Sequence, residues 1–345
     1  MKSRLKYLLT SLSLAVVASI VVAGCGNNSA PTEAGNEAPS AAPTSSEAAP
    51  KLEKITVGYT PTIVLPQPLV GTEDGEYEKK LPGVKVEKKL FGAGSAILEA
   101  VRAGTVDIGF SGPLPAIKAY AKAGDIVLLA NAANGGTELS VLESSPIKSV
   151  KDLKGKIVGV NQPGSTVDAF VRHNLIKAGL KPDTDVRIIE IAPGEQAAAL
   201  QSGQVAAVAA PAPWPSQAAV IAKARPLLSW KQILSDGEYS AGSVWATKKF
   251  VEANPEFVKE FLAAHSQITD ELNADRAKGD ARVLAAWSKV SKKTLKPEVA
   301  KKAFATIVYT AKPDQKDLQL QADLGFETGG LKKKADLAGF IYEAK

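Results

Sequence analysis

Residues 100–106 and 199–205 follow one plan, and that plan constrains the fold more than any other feature of the chain. Ala100-Val101-Arg102-Ala103-Gly104-Thr105-Val106 lines up with Ala199-Leu200-Gln201-Ser202-Gly203-Gln204-Val205. Each stretch reads as the end of a helix, a glycine stop, a short turn and the start of a buried strand. Each strand then enters a proline-bearing loop, at 111–115 and 211–215. Around the first copy, strand patterns at 54–59, 84–87, 106–110 and 126–130 alternate with helix patterns at 95–103 and after Pro113. Around the second, strands at 156–160, 186–191 and 205–209 alternate with helices after Ser165 and over 195–202. Alternation of this kind, met twice, predicts two α/β lobes.

Beyond a short strand at 243–247 the pattern turns helical. Pro255, Pro297 and Pro313 each suit a first helical turn. They predict helices over 255–274, 280–290, 297–308 and 313–324, with Gly279 separating the first two and a last helix near the C-terminus. A chain that crosses to a second lobe near Thr137 and returns near Ala241 makes two hinge crossings. The expected lobes are residues 52–136 with 241–345, and residues 137–240.

The front end reads differently. Lys2, Arg4 and Lys6 precede an uncharged stretch at 8–24 that ends in small residues before Cys25. A basic start, an apolar middle and a small-residue exit are the parts of an export signal. Val22-Ala23-Gly24-Cys25 resembles the bacterial lipobox. That resemblance implies a signal peptide over 1–24 and a lipid on Cys25, holding the protein at the outer face of the cell membrane. The alternative is an N-terminal anchor helix with an incidental cysteine. Residues 25–51, with alanine as their main apolar residue and many Pro, Ser, Gly and Asn, are expected to form a disordered tether.

Charge excludes one class of partner. Of the 42 Lys and Arg, three leave with the leader, so 39 face 36 acidic residues, a net charge of +3. No basic run interleaves with aromatics, so no nucleic acid is expected as a partner. Sulfur is scarce: Met1 and Cys25 are the only sulfur-bearing residues. Avoidance of methionine oxidation outside the cell and synthesis under sulfur scarcity both account for that. One thiol leaves no disulfide and no cysteine-based metal or redox site.

The loops after the strands carry the chemistry. Thr60-Pro61-Thr62, Ser111-Gly112 and Gly164-Ser165-Thr166 place hydroxyls and bare backbone beside helix starts. Backbone N–H groups at such starts favour anions, so these loops form a candidate cradle for an oxyanion. Capping of their own helix is the other role open to Ser165 and Thr166, and Ser165 with Asp168 has the spacing of a capping box. Gln67 and Trp214 complete the candidate ligand-binding set, Trp214 as an apolar wall or as plain core. Trp230, Trp245 and Trp287 are expected to be structural. Enzyme chemistry is poorly supplied: His173 and His265 share no metal-binding spacing, and no nucleophile elbow or phosphate loop occurs. No cofactor and no metal are expected.

Several stretches are similar to the nitrate/sulfonate/taurine-binding proteins of ABC importers. They are Val57-Gly58-Tyr59, the run 103–112 (AGTVDIGFSG), the run 144–160 (SSPIKSVKDLKGKIVGV) and Val251-Glu252-Ala253-Asn254-Pro255. The resemblance spans residues 55–261. It implies the type II periplasmic-binding-protein fold, two α/β lobes around a ligand cleft, and a monomer that passes a small anion to an ABC permease and its ATPase. Where relatives carry an acid after the last strand of the second lobe, this chain has Pro211-Ala212-Pro213-Trp214. That departure disfavours a zwitterion such as taurine and favours an alkane- or arylsulfonate. Nitrate is the rival ligand, and a thiamine-pyrimidine enzyme of related fold is the rival class.

Overall fold

The computed structural model describes residues 52–343. The expected signal peptide over 1–24, the expected tether over 25–51 and Cys25 lie outside the described residues. The first half of the chain runs β1 (Lys54–Tyr59), α1 (Pro66–Glu73), α2 (Glu76–Lys80), β2 (Lys85–Leu90), α3 (Gly94–Arg102), β3 (Ile108–Ser111), α4 (Leu114–Ala123) and β4 (Ile126–Gly135). It continues with β5 (Thr137–Leu142), β6 (Ile157–Val160), α5 (Thr166–Lys177), β7 (Arg187–Glu190), α6 (Gln196–Gln201), β8 (Ala207–Pro211), α7 (Trp214–Ile221), β9 (Ala224–Leu228) and α8 (Trp230–Ile233). The last part holds β10 (Ser240–Thr247), α9 (Lys248–Ala253), α10 (Pro255–Ala274), α11 (Arg276–Ser291), α12 (Pro297–Phe304), β11 (Ile307–Tyr309) and α13 (Gln315–Glu327).

These strands form two sheets. The first has the order β11-β4-β10-β3-β1-β2 and the second β7-β6-β8-β5-β9. The two echoing stretches take equivalent places: β3 lies between β10 and β1, and β8 between β6 and β5. Their helix stops, Gly104 and Gly203, have φ of +69° and +74°, a conformation that side chains with a Cβ disfavour. The central strands are apolar on both faces because helices cover both, as β3 and most of β8 show by their full burial. The chain passes from the first sheet to the second between β4 and β5, at Gly136. It returns ahead of β10.

Several sequence expectations are corrected. Gly279 does not separate two helices but lies inside α11, where a Cβ would meet the Leu272 carbonyl at 2.2 Å. The glycine lets α11 pack tightly against the end of α10, and Asp275 caps the new helix through Lys278 N–H. The helix expected over 297–308 stops at Phe304, because Ile307–Tyr309 pairs with β4 instead. Near the C-terminus no helix forms among the described residues. Ile341 makes a single bridge to Leu128 there.

One helix serves both sheets. Leu318 and Ala322 of α13 pack in the cluster that holds Trp245, while Leu324 packs in the cluster of Phe170 and Tyr239 under the second sheet. A segment expected to belong wholly to the first lobe therefore touches both. Among the described residues no helix is long and apolar enough to cross a membrane.

Candidate functional site

Between the two sheets lies a cavity of about 220 Å³. Its wall is built at the carboxyl ends of parallel strands, where open α/β sheets present their loops to ligands. Thr60, Pro61 and Thr62 follow β1, Phe91 to Gly94 follow β2, and Ser111 and Gly112 close β3. From the second sheet come Asn161, Gln162 and Ser165 after β6, and Pro211 and Trp214 at the end of β8.

The wall also collects helix starts. Leu65 caps α1, Gly94 begins α3, Pro115 is in the first turn of α4, Thr166 begins α5 and Trp214 begins α7. Each such terminus carries roughly half a positive charge from aligned peptide dipoles. No lining residue is an acid, a base or a histidine. The interior is therefore positive without a counter-ion, which suits an anion held by neutral donors. Val64, Leu65, Phe91, Pro115, Val167 and Trp214 give it an apolar side as well.

Most of the residues picked from the sequence meet here. Thr60, Thr62, Ser111, Gly112, Ser165, Thr166 and Trp214 all line the cavity. Thr62 is partly committed elsewhere, since its hydroxyl donates to the Ala212 carbonyl of the opposite lobe at 2.7 Å. Ser165 is the N-cap of α5 and accepts from Asp168 N–H at 3.2 Å. The second half of the expected capping box is displaced by one residue, as Asp168 Oδ2 takes the N–H of Gly164 at 2.7 Å. Thr166 Oγ1 accepts from Leu114 N–H at the start of α4. Ser111 Oγ donates only to the adjacent Gly112 carbonyl, at 3.0 Å, so this hydroxyl can turn to a ligand at small cost.

Two of the picked residues stand outside the wall. Gln67 is fully buried in α1, where its Nε2 donates to the Ala132 carbonyl and to Thr269 Oγ1, both at 2.9 Å. The first turn of α1 points that side chain into the core toward α10. Gly164 supports the wall from behind through the Asp168 bond and a bond from Lys118 Nζ to its carbonyl at 2.9 Å. Asn161 and Gln162, not picked from the sequence, do line the cavity. Asn161 Oδ1 accepts from Ser165 Oγ, and Gln162 Nε2 donates to Ser95 Oγ across the cleft. Their place in the same post-strand loop as Ser165 was the available signal.

The tryptophans differ in burial. Trp245 and Trp287 are fully buried, and Trp230 is half-buried. Trp214 lies edge-on to Trp287, with ring centroids 5.9 Å apart. Lys293 Nζ sits 4.9 Å from the centre of the Trp214 ring. Trp287 and Lys293 come from the first lobe, so Trp214 is held against the cavity from the far side.

Two α/β sheets with a cleft between them, lined by strand-end loops and helix starts, give the chain periplasmic-binding-protein architecture. The chain belongs to the NMT1-like family, which matches residues 48–288. It is 30% identical over 281 residues, 77% of this chain and 82% of the other, to a protein of Escherichia coli (strain K12) named as an aliphatic sulfonates-binding protein. It is 28% identical over 242 residues, 62% of this chain and 54% of the other, to the nitrate/nitrite binding protein NrtA of Nostoc sp.. Among solved structures, the periplasmic aliphatic sulphonate binding protein SsuA from Escherichia coli matches with a TM-score of 0.70 at 27% identity, over 86% of this chain and 94% of that one. The alkanesulfonate-binding protein SsuA from Xanthomonas axonopodis pv. citri, bound to MOPS, gives 0.71 at 25%, over 84% and 98%. The relatives are binding proteins, and this chain is a binding protein and not an enzyme.

Proposed function

We propose that the protein captures a small organosulfonate outside the cytoplasm and delivers it, as a monomer, to an ABC permease and its ATPase, as a source of sulfur. The observation that carries this reading is the two-sided cavity. Helix starts and hydroxyls suit a three-oxygen anionic head, and the side made by Val64, Leu65, Phe91, Pro115 and Trp214 suits an apolar tail. Nitrate has the head and lacks the tail. A cavity of about 220 Å³ has room for a small organosulfonate. The scarcity of sulfur in the chain itself agrees with synthesis when sulfur is limiting.

The test is a thermal-shift panel with methane- to hexanesulfonate, benzenesulfonate, taurine and nitrate. A ligand at a hundred times its Kd stabilises by about 2.7 kcal/mol. The expected order places the alkanesulfonates and benzenesulfonate first, with nitrate and taurine weak. Stabilisation by nitrate with none by any sulfonate would overturn the sulfonate assignment.

The same proposal includes an anchor. Cleavage before Cys25 and acylation of its thiol would keep the protein at the membrane, with residues 26–51 as a flexible tether. The intact mass of protein purified from membranes tests this. A chain that still begins at Met1, or a Cys25 without acyl chains, would refute it.

A further inference from the structure

Lys118 projects from α4 on the first lobe, and it ends on the opposite lobe. Its Nζ donates to the Gly164 carbonyl at 2.9 Å, in the loop that leads into α5. One turn earlier on the same helix, Leu114 N–H donates to Thr166 Oγ1 at 3.2 Å. A backbone N–H at the start of α4 and a side chain one turn further on therefore hold two sites of the α5 start. Ser165, between those two sites, lines the cavity and caps α5.

The surroundings of Lys118 are built to accept it. Gly330, just past α13, leaves the needed space: a Cβ there would lie 2.8 Å from Lys118 Cε and 2.9 Å from Nζ. Lys118 has no salt-bridge carboxylate among the described residues, and its hydrogen bond goes to a neutral carbonyl. Burial holds its ammonium below the ordinary lysine range, a trend that the Asp168 carboxylate opposes and the Arg172 guanidinium adds to. Asp168 itself is occupied by Gly164 N–H and by Arg172 Nε at 2.9 Å. Gly164 is thus held on both sides, its N–H by its own lobe and its carbonyl by the other.

We propose that Lys118 is a positioning residue that latches the closed cleft: by holding Gly164 it keeps the α5 start against the α4 start and so slows release of the bound anion. Lys118 lies outside the cavity wall. Its effect is therefore on the lifetime of the complex rather than on recognition of the head or tail. A charge-assisted bond of this kind exists only when the lobes are together, and its loss makes opening easier.

The inference rests on anion capture in this cavity, and the experiment separates the two claims. Ethanesulfonate and nitrate are mixed with the full chain and with its Lys118→Met and Lys118→Arg forms in stopped-flow tryptophan fluorescence. For whichever probe the wild type binds, Lys118→Met is expected to raise the dissociation rate about tenfold while changing the association rate less than threefold. Lys118→Arg, which keeps the charge and a donor, is expected to stay within about threefold of wild type. A wild type that binds nitrate alone refutes the sulfonate reading and leaves the latch measured on nitrate. If it binds neither, small-angle scattering of the free proteins decides, with a larger radius of gyration expected for Lys118→Met. Equal dissociation rates or, where neither probe binds, equal scattering curves overturn the latch. So does a fall in melting temperature alone.

Discussion

At Gly112 the two lobes leave no room for a side chain. A Cβ there would lie 2.6 Å from Thr166 Oγ1 and 3.0 Å from Thr166 Cβ, across the cleft. Gly112→Ala is therefore expected to obstruct closure and to weaken anion binding more than loss of either nearby hydroxyl. Ser111→Ala and Ser165→Ala should each weaken binding about fivefold, the worth of one hydrogen bond near 1 kcal/mol. The pair separates by stability. Ser165 caps α5, so its loss also costs about 1 kcal/mol of folding free energy, whereas Ser111 bonds only its neighbour's carbonyl. Calorimetric titration with ethanesulfonate beside thermal melts reads both quantities. Unchanged affinity in all three variants would show that these loops do not hold the ligand.

Elements were legible in the sequence where local pattern and tertiary demand agreed. The helix over 255–274 matches α10 end to end, because Pro255 starts it and Phe257, Phe261, His265, Ile268 and Leu272 repeat on its buried face. The strands of both sheet centres were legible as short apolar runs. β9 and β11 were not: Pro226 disguises one at a sheet edge, and the other is three residues that continue an apparent helix. β5 went unread because Glu138 and Ser140 interrupt its apolar residues, and its pairing with both β8 and β9 is a tertiary fact. The site divides in the same way. Hydroxyls at strand ends announce themselves, and they line the cavity. The direction of Gln67 depends on how α1 packs on α10, and the apolar wall joins residues far apart in sequence. Neither leaves a local signature.

Across the whole molecule, one buried polar chain joins the strand crossing to the C-terminal helices. His265 Nε2 donates to the Asn131 carbonyl at 2.7 Å, which fixes the neutral tautomer with the proton on that nitrogen. Ser240 Oγ donates to Asn131 Oδ1 at 2.6 Å, and Ser240 N–H donates to Asp317 Oδ2 at 2.8 Å. Burial pushes the Asp317 carboxyl up from 3.8 to about 6, against the bonds from Ser240 and Gln321 and with some help from Asp314. Burial pulls His265 down from 6.5 to about 4. The two act in opposite senses. Above about pH 6 the folded protein carries a costly buried carboxylate at Asp317, and that cost is relieved as pH falls through 6 toward 3.8. His265 contributes its stability above pH 6.5 and loses it as pH falls toward 4, because the unfolded chain takes up the proton first. Each shift corresponds to about 3 kcal/mol, so the wild type hides both between pH 4 and 6.5. Asp317→Asn keeps an acceptor oxygen for Ser240 N–H and for Gln321 Nε2 and removes the ionisation. The variant should melt above wild type at pH 8, by up to about 3 kcal/mol of stability, with the advantage shrinking through pH 6 and gone near pH 4. Its own stability should then fall with acid, as the His265 loss is no longer offset. Melting curves of the two proteins from pH 4 to 8 decide it, and a difference that does not vary with pH would show that Asp317 does not ionise as its burial implies.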